Sequence, residues 1–237
     1  MIGCLIRIFY ILVLNLRTDC MPELIRGTAI EPVEESKALS VVKSIIDQGV
    51  KGFATLSGAN DLANTYINDK GYKSNDDRVN SLIKWETSKN FTTGFLTGLG
   101  GLITLPITIP TSLYASWVLQ ARMCAAIAKI YGYDIEDERV KTMILVCLLG
   151  SSAKEALKDV GIQIGTSVAK NFIKNISART IREINKKVGF MLLTKAGQKG
   201  VVNLTKCIPI LGGVVGGAVD GVSCNLIGSA AKELFKK

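Results

Sequence analysis

GFLTGLGGLITLPITIP, residues 94–110, carries four glycines, two prolines and no charge, in a chain with 29 Lys and Arg. Three readings compete for it: a membrane segment, a tightly packed core hairpin, or a glycine loop around a phosphate. A P-loop needs G-x-x-x-x-G-K-[ST], and that spacing is absent. The dinucleotide fingerprint needs a preceding strand and a βα unit, and neither is foreseen here. The uncharged block runs from Asn90 to Ala121, and Pro106 and Pro110 divide it. Proline removes a backbone donor, clashes with the preceding turn and pushes the residue before it out of the helical region. The block is therefore expected to be a helical hairpin, with arms near 91–105 and 112–131. An arm of about 15 residues spans about 22 Å. A hydrocarbon core is about 30 Å thick, so a clean two-span crossing is disfavoured.

The glycines suggest a mate for that hairpin. Gly94 and Gly98 are four apart, with Gly101 close to the next turn. Gly213, Gly217 and Gly221 form a full GxxxGxxxG near the C-terminus. Residues four apart share a helix face, and glycine there lets another backbone approach closely. Each glycine costs about 1 kcal/mol of helix propensity against alanine, so a packing role is expected. The two segments are read as packing on each other or on copies of themselves. Asp220 within the zipper would be costly in lipid, and Arg122 is the partner foreseen for it.

Outside this block the chain reads as helix after helix. Apolar residues at 38, 39, 41, 42, 45, 46, 50 and 53 make one buried stripe. A short polar helix follows at Asn60–Asp69, then a loop, then a helix from Asp76 to about Ser88. Leu113, Trp117, Ala121, Cys124, Ile127, Ala128 and Tyr131 form a stripe on the second arm, and Gly132 is placed to cap it. Asp134, Glu136, Asp137 and Glu138 belong at the start of a helix reaching about Gly150, where the dipole favours anions. Further helices are expected near 153–175 and 178–196, with KAGQKG (195–200) as a turn. The last helix runs from about Leu211 to the C-terminal lysines. No alternating strand pattern is found, so the fold class is all-α.

Composition narrows the function classes. The 237 residues suit one domain, 48% are hydrophobic, and the mean hydropathy is +0.30. The net charge of +9 arises entirely in residues 154–237, where 14 basic side chains face 5 acidic ones. The segment 170–206 has nine Lys and Arg against Glu183 alone. Within it, Ile176, Ile181, Ile184, Val188 and Leu192 form a stripe, with Lys174, Arg182, Lys186 and Lys187 largely off it. A basic amphipathic helix suits an anionic membrane surface; it could equally cover the core and leave its lysines in water. Trp85, Trp117 and the tyrosines form no stacking platform, which speaks against nucleic acid.

The chain has no histidine, which removes the commonest general base and the commonest zinc ligand. Its six cysteines form no C-x-x-C and read as small buried thiols, without metal or cofactor. Ser151 and Lys154 have S-x-x-K spacing but lack its companion motifs, so they read as a helix-start cap and a solvated lysine. No catalytic residues are assigned, and the balance is against an enzyme. At the N-terminus, Ile8–Leu14 is too short an apolar run to span a bilayer. Residues 1–20 are read as a non-structural or mis-assigned extension, and 21–237 as the helical domain.

Three segments carry a family resemblance: GFLTGLGGLITLPITIP, WVLQARMCAAIAKIYGYDIEDERVKT, and INKKVGFMLLTKAGQKGVVNLTKCIPILGGVVGGAVDG. Over about residues 35–236 the chain resembles the EcsC protein family. The family is named after a gene beside a bacterial ABC transporter implicated in secretion, and its biochemical activity is not established. The resemblance implies an α-helical bacterial protein, cytoplasmic or peripheral at the inner face of the cell membrane, with ABC-transporter components as candidate partners. It supplies no catalytic residues. In the family pattern an acid often follows the second proline and a histidine precedes the YGYD turn; here Thr111-Ser112 and Lys129 stand instead. The alternatives are a membrane-inserting, permeabilising protein and an uncharacterised hydrolase. Homo-oligomerisation through the glycine faces stays open.

Overall fold

The computed structural model describes residues 35–53, 56–90, 111–162, 173–201 and 212–236. All fall within one compact unit, 33–237. Residues 1–34 and 91–110 lie outside the described residues, and with them Gly94, Gly98, Gly101, Pro106, Pro110 and the first arm of the expected hairpin.

The architecture is all-α. In chain order the helices are α1 (Glu35–Lys51), α2 (Ala59–Ile67), α3 (Asn75–Asn90), α4 (Thr111–Ile130), α5 (Glu138–Cys147), α6 (Ala153–Asp159), α7 (Ala178–Val201) and α8 (Gly212–Phe235). A two-residue antiparallel pair, β1 (Gly52–Phe53) with β2 (Leu56–Ser57), links α1 to α2. Four residues of strand are too few to show alternation, so no sequence pattern announced them.

Helix α4 is the hub. It packs against α1, α2, α3, α5 and α8, and every residue from Tyr114 to Ala128 is buried. The sequence suggests one apolar stripe, but the helix is enclosed on all sides. A helix without a polar face belongs in a core, and the small side chains Ala115, Ser116, Ala121, Cys124, Ala125, Ala126 and Ala128 let neighbours surround it. The second arm thus serves the protein interior.

Helix ends follow local chemistry. Ser74 opens α3: its hydroxyl accepts from the amide of Asp77 (3.1 Å) and donates to that residue's carboxylate (2.8 Å), a reciprocal cap. Asp137 caps α5 by accepting from the Arg139 amide at 2.8 Å, which agrees with the helix-start reading of the acidic run. Gly132 terminates α4 as expected, in a left-handed conformation (φ +83°). The Gly132 amide donates to Lys129 O and the Tyr133 amide to Ala128 O, which satisfies the last carbonyls.

Two expected boundaries are wrong. The helix foreseen over 153–175 stops at Asp159, because Gly161 (φ +80°) repeats the same left-handed ending, with Ile162 donating to Leu157 O. KAGQKG is not a turn: α7 continues through it to Val201. Two glycines in six residues suggested a break, but each costs only about 1 kcal/mol in a long helix. The expected cap at Ser151 is also not made: Ser151 lies in a 3-10 turn, and the flanking Ser152 makes no side-chain cap.

Close helix approaches among the described residues use glycines the sequence reading passed over. A β-carbon on Gly189 of α7 would lie 2.8 Å from Ala38 O of α1, and one on Gly228 of α8 would lie 2.8 Å from Ile83 Cγ1 of α3. Gly221 is buried on α8; the surroundings of Gly213 and Gly217 lie outside the described residues. Cys124, Cys147 and Cys224, from α4, α5 and α8, are buried thiols, as foreseen. Burial, with Cys147 hydrogen-bonded beside it, pushes the Cys124 thiol well up, so these are packing groups.

Candidate functional site

The exposed face of α7 is the surface that the basic sequence points to. Ile184, Val188 and Leu192 bury its inner stripe, as predicted, and Ile176 just before the helix is also buried. The Ser177 hydroxyl accepts from the Thr180 amide at 3.1 Å and starts the helix. Arg179, Arg182, Lys186 and Phe190 follow at intervals of three, four and four, so they share one face, and all four are exposed. Lys174 is exposed just upstream.

The four cations assigned from sequence are not equivalent. Lys186 Nζ lies 2.7 Å from Glu35 of α1, and Lys187 Nζ 2.8 Å from Asp159 of α6. The hydrogen bond to Glu35 raises the Lys186 pKa. Lys174 and Arg182 make no ion pair among the described residues. Phe190, which sequence reasoning missed, is 52% exposed one turn beyond Lys186, at the end of this basic row. Its signal was an aromatic four residues after Lys186, off the apolar stripe.

Arg122 is buried, as its place in the uncharged block suggested, and its partners are specific. Nε donates to Ser57 O at 2.6 Å, a terminal nitrogen donates to Ser57 Oγ at 2.9 Å, and the other lies 3.7 Å from Glu86. The side chain of its foreseen partner, Asp220, lies outside the described residues. Burial lowers the Arg122 pKa, while Glu86, Asp61 and Tyr66 oppose this. Tyr66 is pushed up to about 12, by burial first and by Glu86 next. Among the described residues the centre joins α4 to α3 and the β-turn.

A second polar network closes the C-terminal end. Asp76 of α3 accepts from Tyr131 Oη (2.9 Å) and Lys236 Nζ (2.5 Å), with Lys232 at 3.5 Å. Phe235 packs edge-on against Tyr133, with ring centres 5.2 Å apart. The Lys236 hydrogen bond holds the Asp76 carboxyl below its ordinary value; burial opposes this, and Tyr131 and Lys232 assist. A carboxyl depressed by folding stabilises the fold above its unfolded pKa of about 4, and that contribution is lost as pH falls through the lower folded value. The thermal midpoint is therefore expected to drop below about pH 4. Asp76→Asn should flatten that drop and cost about 1 kcal/mol at neutral pH. Parallel melting curves against pH for the two proteins would show that Asp76 contributes nothing.

With this geometry in place, comparison with known proteins decides the family. The profile of the EcsC protein family matches residues 40–237, most of the chain. The chain belongs to the EcsC protein family. Curated proteins and solved structures gave no match. EcsC membership brings no catalytic set to test against this fold. The S-x-x-K lysine, Lys154, is 70% exposed and bonded to Glu233 at 2.8 Å, a surface ion pair across helices.

Proposed function

We propose that this EcsC-family protein works at the surface of an anionic membrane, with the outer face of α7 as its lipid contact. The observation that supports this most is Phe190, half exposed on the same helix face as Arg179, Arg182 and Lys186. Basic side chains draw a helix to anionic head groups, and an aromatic ring among them enters the interface. Lys186 and Lys187 can exchange their carboxylate partners for lipid phosphate at little cost, since exposed ion pairs are weak. Insertion receives no comparable support. The arm 112–131 is enclosed by protein, and among the described residues no helix is long and apolar enough to cross a membrane. The resemblance adds a link to ABC-transporter or secretion processes, with no activity assigned.

Vesicle flotation tests the contact. Wild-type protein should float with phosphatidylglycerol vesicles and release as salt rises. Arg182→Glu should weaken partitioning by about tenfold or more, because each basic side chain near an anionic surface contributes about 1 kcal/mol and reversal counts it twice. Phe190→Asp should weaken it further, because it removes the interfacial ring and adds a negative charge to the same face. Unchanged flotation of both variants would remove α7 as the contact.

A further inference from the structure

A groove of about 550 Å³ lies between α3 and α8, away from the α7 face. Ile83 lines it and lies against Gly228, where the missing β-carbon brings the two helices together. Its walls are built mostly of polar residues, whose carbon atoms still make up the larger part of the lining surface. Lys84, Asn80 and Ser88 come from α3, and Ser229, Asn225 and Lys232 from α8, with Lys236 just beyond.

Charge and hydrogen-bonding capacity point the same way. Lys232 is fixed by a 2.7 Å hydrogen bond to Asn80 and by Asp76 nearby. The one carboxylate in the lining, Glu233, bonds to Lys154 at 2.8 Å. The Lys84 ammonium is exposed and has no ion pair among the described residues. The groove thus joins excess positive charge with a row of amide and hydroxyl groups.

We propose that this groove binds a small phosphate-bearing polyol, its phosphate between Lys84 and the Lys232–Lys236 side and its hydroxyls on Asn80, Asn225 and Ser229. Lysine holds phosphate as a point charge. Amides and hydroxyls suit a polyol, and a purely apolar ligand would strand them. The same chemistry occurs in soluble glycerophosphates and in glycerophospholipid head groups.

Calorimetric titration of the full chain with glycerol 3-phosphate tests this. Saturable binding is expected, tighter than for inorganic phosphate and absent for glycerol. Lys84→Gln should weaken it by about tenfold, the effect of one charge-assisted hydrogen bond, and Ser229→Leu should block it. Both positions are exposed, so circular dichroism should be unchanged. Phe190→Asp should leave this binding intact, which separates it from the membrane contact. Phosphatidylglycerol vesicles that displace the ligand would point to a lipid head group; vesicles that leave it bound would point to a soluble ester. Absent saturation, or unchanged affinity in Lys84→Gln, would overturn the site. Glycerol 3-phosphate binding no tighter than phosphate would overturn the polyol assignment.

Discussion

Arg122→Met is expected to cost about 3–5 kcal/mol of folding stability, because removing one partner of a buried ion pair takes away a charge that offsets buried Glu86. The size follows from burial. Arg122 and Glu86 side chains are 8% and 6% exposed, so the surface-pair value of about 0–1 kcal/mol does not apply. The substitution also removes two hydrogen bonds to Ser57, which hold the β-turn to α4. Restoring apolar consistency should recover part of the loss. Replacing a buried pair by apolar side chains is often neutral, so adding Glu86→Met should return at least about 2 kcal/mol. Urea unfolding followed by fluorescence of buried Trp117 gives both values. A single-variant cost below about 1 kcal/mol would mean that the pair is screened like a surface one.

Gly49→Val is the second large effect. Gly49 of α1 lies against the hub helix, and a β-carbon there would stand 2.9 Å from Ala121 Cβ, 3.0 Å from Arg122 N and 3.2 Å from Val118 O. Two of those atoms are backbone, so the clash can be relieved only by moving α1 or α4. Alanine would gain about 1 kcal/mol of helix propensity, but overpacking costs about 1–3 kcal/mol, and the rigid neighbours place it at the upper end. Gly49→Ala should therefore lose about 1–2 kcal/mol net, and the larger, branched valine about 3 kcal/mol or more. Gly71→Ala is the control. Its nearest contact is the Asp69 carboxylate at 3.1 Å, in an exposed turn, and it should change stability by less than about 0.5 kcal/mol. Equal melting temperatures for the Gly49 variants and wild type would refute the close-packed α1–α4 contact.

These two residues show what could be read in advance. Arg122 stands out in the sequence as the charge ending a long uncharged block, and its burial follows. Its partners Ser57 and Glu86 lie 65 and 36 positions away, and no periodicity connects them. Gly49 has no pattern: it is one glycine in an ordinary amphipathic helix, and its neighbour is set by how α1 crosses α4. The conspicuous GxxxG series drew the packing argument instead, yet Gly94, Gly98 and Gly101 fall outside the described residues, as do the surroundings of Gly213 and Gly217.

The α7 face was half legible. Its apolar stripe and basic character follow from local spacing, because a helix repeats every 3.6 residues whatever surrounds it. Which lysines are engaged does not follow, since Glu35 and Asp159 reach Lys186 and Lys187 only through the packing of α1 and α6 on α7.

By itself the sequence determined the all-α class, most helix starts, the Gly132 ending, the buried thiols and the EcsC family. All of these depend on neighbours within a turn or two, or on an ordered string of residues. The tertiary structure alone decided that the arm 112–131 is a hub buried on every side, that Arg122 holds Ser57 and Glu86, and that α3 and α8 leave a polar groove between them. Those facts depend on which helices meet and how closely, and distance along the chain carries no record of that.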